Sequence, residues 1–336
     1  MNRVLLIAGC GLGLALPASA FASGGPVPPV QGGSGVSAAG GTVSFVAVGK
    51  GGDTVAERVD ATTRRVERRL RVPGRFGIPG AALDGSETGL SADGRTLVLA
   101  EMPGNATPRR TVLVVLDARR LVARARIALT GYYTVDAISA TGRWLYLIHY
   151  LSQSDPTQYE VRAYDLSAQR LIKKSVIDPR EADEAMRGFP VTRVMSHDGR
   201  WAYTLYLRSG SSPFVHALDT QRRVAVCVDL PTSVGQDVSS ARLVLAPGST
   251  KLRIMVAGAL AAVIDTRTFA VGTPEATHPP AAPKRATAPN TSGLSWAWVI
   301  VAVAALVALV FTASRRWRRF PGSSWQARLR RLYTRA

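Results

Sequence analysis

The sequence predicts an all-β fold, a ring of about five four-stranded sheets of the small β-propeller type, followed by one C-terminal transmembrane α-helix. Three observations predict it: a tight turn recurring about every fifty residues, a strand ending in Asp that alternates with it, and one long uncharged run near the C-terminus.

The recurring turn places a Ser, a Gly and a basic residue at fixed offsets before an apolar run. Its copies are Ser91-Ala92-Asp93-Gly94-Arg95, Ser139-Ala140-Thr141-Gly142-Arg143 and Ser196-His197-Asp198-Gly199-Arg200, with a degraded copy at Ala246-Pro247-Gly248-Ser249. Their first residues lie 48, 57 and 50 apart. Asp bonds its own backbone two residues on and Gly accepts positive φ, so each copy reads as a turn entering a strand. The second element is an apolar strand closed by Asp60, Asp117, Asp165, Asp219 and Asp265, each followed by a few polar residues and another strand. A four-stranded sheet cannot bury both faces alone, so units of this period must stack, as propeller blades do. Five units start near Thr42, Thr96, Trp144, Trp201 and Lys251 and fill residues 42–272.

On these turns and Asp-ended strands the chain resembles the β-propellers of the lactonase-like YVTN repeat class, related in pattern to WD40 domains. The resemblance covers roughly residues 42–272 and lies in blade grammar, so it implies fold more than activity. The chain departs from that class in lacking a YVTN-like tetrapeptide, in its unequal units, and in a fifth unit that breaks off near Val271.

The two ends set an expected address. Arg3, an apolar stretch from Val4 to Leu16 and Ala18-Ser19-Ala20 describe an export signal over residues 1–20, cut after Ala20 or Ala22. Ile7-Ala8-Gly9-Cys10 offers a competing lipidation site. Residues 21–41 read as a flexible leader and residues 273–293, rich in Pro, Ala and Thr, as a stalk. Residues 294–313 carry no charge and at about 1.5 Å per residue match the hydrocarbon thickness of a bilayer. Trp296 and Trp298 mark one interface, and Arg315, Arg316, Arg318 and Arg319 place the tail, residues 314–336, in the cytoplasm. There Trp325, Leu329, Leu332 and Tyr333 share one helical face among arginines, as in a short amphipathic helix on an anionic leaflet.

The net charge of +19 first suggests nucleic acid or a membrane. Eight of the arginines belong to the tail, and an exported domain has no nucleic acid to meet, so the membrane is the expected partner. Within the repeat, equivalent positions should converge. Three residues before each turn stand Thr88, Asp136, Arg193 and Leu243, and the first three form a candidate ligand face. This mixed set lacks the six or more oxygens that Ca²⁺ takes, and His149, His197, His216 and His278 have no metal-ligand spacing, so no catalytic, metal or cofactor residue is assigned and no cofactor is expected. Asp84, Glu87 and Asp237 sit in nearby loops, and Cys227 reads as a small strand residue. Two long loops, 73–90 and 178–190, the second with a short helix, are candidate partner surfaces. Arg68, Arg69, Arg71, Arg124, Arg126, Lys173, Lys174, Arg222 and Arg223 recur in the strands after the Asp turns, as solvated blade edges or as a surface for anionic polymers. The expected function is a membrane-anchored extracytoplasmic binding or sensory module for an envelope protein or polymer; the alternative is a lactonase-like, metal-dependent hydrolase.

Overall fold

The computed structural model describes residues 26–272, apart from 39, 105–107, 153, 183–185, 209–210 and 236. The export signal, the stalk, the membrane span and the tail lie outside the described residues. No described helix is long and apolar enough to cross a membrane.

Among the described residues, twenty strands form five four-stranded antiparallel sheets, the arrangement of a five-bladed propeller. Blade one is β1 (Val36–Ser37), β2 (Val43–Lys50), β3 (Asp53–Asp60) and β4 (Val66–Val72). Blade two is β5 (Phe76–Gly77), β6 (Thr96–Glu101), β7 (Arg110–Asp117) and β8 (Val122–Thr130). Blade three is β9 (Tyr132–Ile138), β10 (Trp144–Tyr150), β11 (Tyr159–Asp165) and β12 (Arg170–Val176). Blade four is β13 (Phe189–Met195), β14 (Trp201–Leu207), β15 (Phe214–Asp219) and β16 (Val224–Asp229). Blade five is β17 (Arg242–Val244), β18 (Lys251–Val256), β19 (Ala259–Asp265) and β20 (Val271–Gly272).

Both recurring elements fold as their chemistry requires. In the first, Ser91 Oγ accepts from Thr96 N, Ser139 Oγ from Trp144 N and Ser196 Oγ from Trp201 N, at 2.8–3.0 Å. Gly94, Gly142, Gly199 and Gly248 take φ of +66° to +72°. In the second, the Asp carboxylate accepts backbone N–H groups two and three residues on, as Asp165 does from Ser167 and Ala168 and Asp265 from Arg267 and Thr268. The fourth residue after each Asp adopts φ of about +50° to +60°, at Arg64, Leu121, Gln169, Arg223 and Phe269. The side chain of Asp thus takes the place of a second glycine signal in these turns.

The expected leader differs from the structure. Val36–Ser37 pairs with β2 and supplies the inner strand of blade one, while Val30 bridges Ile78 of blade two. Val27 and Val36 are buried, so apolar residues scattered among Gly and Ser were enough to dock this segment. The last strand of blade five, β20, is described at Val271–Gly272, where the described residues end.

Burial follows the stacking. Blades two to four are covered on both faces: β15 is buried throughout, and β7 at every residue but Arg110. Four apolar clusters join neighbouring blades one to two, two to three, three to four and four to five. Blade five alternates exposed and buried residues along most of β18, with Leu252 and Ile254 buried in the cluster shared with blade four and Val256 packed against it. Exposed β4, β8 and β12 carry the recurring basic residues at the rim.

Two features fill the axis. At one end the turns converge: Asp93 N donates to Ala140 O (3.0 Å), and Gly199 packs where a Cβ would lie 2.4 Å from Ala92 Cβ. From the other side the segment 78–90, expected to be a surface loop, turns inward. Leu83 N and Asp84 N donate to Pro190 O and Val191 O of β13, two blades away, each at 3.0 Å. The inner edges of the sheets would otherwise leave backbone groups unpaired, and this segment satisfies two of them. Ala81 and Ala82 are buried as a result.

Candidate functional site

Of the predicted ligand face, the structure brings Asp136 and Arg193 together and leaves the others apart. Arg193 Nη1 and Nη2 donate to Asp136 O and Oδ1, and Arg193 Nε donates to Thr204 Oγ1 at 2.9 Å. Both charged side chains are almost wholly buried, at 2–3% exposure. They lie on β9 and β13, the inner strands of adjacent blades, so the pair locks blade three to blade four and is not presented as a binding face. Thr88 stays in the inward segment, donating its N–H to Pro79 O (2.9 Å). Leu243 belongs to the apolar cluster between blades four and five.

Sheet register extends this pair into a row that sequence reading missed. Arg193 stands opposite Thr204, Thr204 opposite His216, and His216 opposite Cys227, crossing blade four from axis to rim. Directly paired residues share a face of the sheet, so the row faces blade three. His216 is 1% exposed; its Nδ1 lies 3.9 Å from Cys227 Sγ, and among the described residues its Nε2 has no hydrogen-bond partner. Around it burial raises the hydroxyls of Tyr150, Tyr159 and Tyr206 well above the usual phenol range. At the rim Asp178 Oδ2 accepts Cys227 N (2.8 Å) and Arg180 Nη2 (2.6 Å). The ligand atoms of Asp178, Glu181 and Cys227 lie within 4.8 Å of one another, but Arg180 already grips both oxygens of Asp178. The predicted helix of the 178–190 loop is one 3₁₀ turn, Pro179–Glu181, capped by Asp178.

Burial also sets a pH response. Desolvation pulls His216 down to about 4, so the native state holds it neutral while the unfolded chain accepts a proton below about 6.5. Stability is therefore full above pH 6.5 and falls as pH drops toward 4, by up to about 3 kcal/mol. Carboxylates held low by their turns, such as Asp117 and Asp165, lose their contribution only below about pH 4. Thermal melts of His216→Leu should lose the decline between pH 6.5 and 4.5 that the parent shows; an unchanged decline would assign it to another group.

A second constellation lies at the mouth away from the converging turns. A pocket of about 280 Å³ opens between blades two and three, at the ends of β6 and β9. Tyr132, Tyr133, Thr134, Arg110 and Glu101 face it, over Val27, Pro29, Pro79 and Met102. Its aromatic wall is braced from behind. Tyr132 meets Tyr150 at 5.2 Å between ring centroids, and Tyr133 stacks on His149 at 4.3 Å. His149 Nδ1 is in turn fixed by Glu160 (2.9 Å). Thr111 Oγ1 donates to Gly131 O and accepts from Tyr133 N, tying the two blades at the pocket floor. An apolar concave surface with a few convergent polar groups is the usual make-up of a small-ligand site.

No protein-family model matches the chain. No curated protein matches it. It aligns with solved structures at low identity. TolB from Acinetobacter baumannii is 12% identical, with 71% of this chain and 52% of that chain covered and a TM-score of 0.40. The β-propeller domain of Cps50 (Swd1) from Myceliophteria thermophila is 13% identical, with 68% and 64% covered and a TM-score of 0.40. The Dos1 propeller is 10% identical, with 70% and 55% covered, again at 0.40. The chain thus spans less than two thirds of each. Likeness at this level carries nothing about ligand or activity, and the fold rests on the five sheets and their packing.

Proposed function

We propose that the chain is a membrane-tethered, extracytoplasmic binding propeller whose ligand enters the mouth pocket between blades two and three. The pocket carries the reading: its tyrosines are held in place before any ligand arrives, so binding costs little ordering. The export signal, the uncharged run 294–313 and the arginines after it support the address. The burial of Asp136 against Arg193 supports binding over metal-dependent hydrolysis, because the one acid at the equivalent inner positions is already neutralised. A partner read by this mouth fits the envelope protein or polymer that the sequence leads one to expect.

The test is a photo-crosslinking residue at Arg110, with a control at exposed Arg253 of blade five, in cells carrying the full-length protein. A discrete adduct is expected at 110 alone, and Gly104→Trp at the pocket rim should abolish it. Equal labelling at both positions, or labelling indifferent to the rim change, would remove the pocket from the function. Protease added to spheroplasts should digest the propeller and spare an epitope after Ala336; loss of the epitope would reverse the orientation.

A further inference from the structure

Among the described residues, three rim cations have no carboxylate partner. Between β12 of blade three and the turn that opens β16 of blade four lies a groove of about 350 Å³, with Lys174, Arg222 and Arg223 at its edge and Ile172, Val176 and Val224 among its apolar lining. All three cations are exposed. Among the described residues no acid lines the groove. Four described acids nearby are committed elsewhere: Glu160 to Arg162, His149 and Ser175, Asp165 to Arg143, Asp178 to Arg180 and Asp219 to Arg200.

Blade one shows what a compensated rim looks like. There Arg58, Arg69 and Arg71 meet Glu67, Glu57 and Asp53 at 2.9, 2.8 and 2.6 Å. The groove departs from that pattern and is partly preorganised, because the Arg223 guanidinium lies 4.4 Å from the Trp144 ring centroid. Such stacking fixes a cation without neutralising it. An uncompensated positive edge beside an apolar lining matches a ligand built the same way, with an oxyanion at one end and hydrocarbon at the other.

We infer that this groove binds a phosphate ester carrying an apolar chain, the phosphate held by Lys174, Arg222 and Arg223 and the chain laid on Ile172, Val176 and Val224. The site is separate from the mouth pocket and stands or falls without it. Such an ester reaches the groove either from the bilayer or as a soluble molecule, and the chemistry of recognition is the same.

Full-length protein in phosphatidylcholine nanodiscs, titrated calorimetrically with monomeric dihexanoyl phosphatidic acid, tests the inference. Binding is expected, with dihexanoyl phosphatidylcholine and inorganic phosphate each at least about tenfold weaker. Lys174→Glu and Arg222→Glu should each lower affinity about fivefold or more, and added salt should weaken binding. Arg253→Glu, an equal charge change on blade five, should leave affinity unchanged, and melts of all three variants should match the parent. Doping the nanodisc with long-chain phosphatidic acid should suppress the titration if the bilayer is the source and leave it intact if a soluble ester is. Absence of binding, equal binding of inorganic phosphate or of phosphatidylcholine, or unchanged affinity in the groove variants overturns the proposal.

Discussion

Arg193→Met should cost the propeller about 3–5 kcal/mol, because it strands the Asp136 carboxylate in a site with almost no solvent. Asp136 Oδ2 already has no hydrogen-bond partner among the described residues, so Oδ1 and the backbone carbonyl carry its whole compensation. In a domain of this size that loss should lower the melting temperature by about 10 °C. The double change Asp136→Leu with Arg193→Met should recover most of it, since replacing both members of a buried pair removes the desolvation cost along with the attraction. Melts of the four proteins form a double-mutant cycle. A single change costing less than about 1 kcal/mol would mean that water reaches the pair.

The second large effect concerns one glycine. Gly199→Ala should destabilise by about 3 kcal/mol, of which about 1 is the left-handed backbone at φ +68° and the rest the clash of its Cβ with Ala92 Cβ at 2.4 Å. Gly248→Ala separates the two terms. Its turn has φ +71° and nothing within 4 Å of the added carbon, so it should cost only about 1 kcal/mol. Ala92→Gly combined with Gly199→Ala should restore the steric part while keeping the backbone part. Equal losses at Gly199 and Gly248 in denaturant melts would show that the turns do not converge on the axis as described.

What was legible in the sequence was what folds locally. Ser139, Gly142 and Asp165 bond within a few residues of themselves, so their spacing alone announced turns, strands and a count of five units. The inner strands were not legible, because β5 is two residues long and β13 contains Pro190; each pairs on one side with the second strand of its own blade, and what meets the other side, Val30 beside β5 and Leu83 and Asp84 on β13, comes from distant segments. Asp136 and Arg193 were found as equivalent positions, yet their relation was misread. An acid and a base at matched places on neighbouring blades was the available sign that they pair rather than face a ligand. The row through Thr204, His216 and Cys227 depends on register between strands, which residue spacing does not encode. The mouth pocket likewise joins Val27 and Pro29 to Tyr132 and Tyr133, segments that meet only once the blades have stacked.

The inward segment of blade two also carries an order of events. Leu83 and Asp84 find their acceptors at Pro190 and Val191, about a hundred residues later in the chain. A chain emerging from the ribosome N-terminus first therefore makes blade two before the carbonyls that anchor its loop exist. Until blade four arrives, Leu83 and Asp84 have no acceptors and Ala81 and Ala82 have no axis to be buried in, while Pro79 and Gly80, which line the mouth pocket, are already held by Thr88 and Glu87 of the same segment. Contacts this distant in sequence form late. The plug across the axis is thus among the last parts of the molecule to take shape, and chains halted before blade four would carry the turns, the strands and the mouth pocket of a propeller with its axis still unfilled.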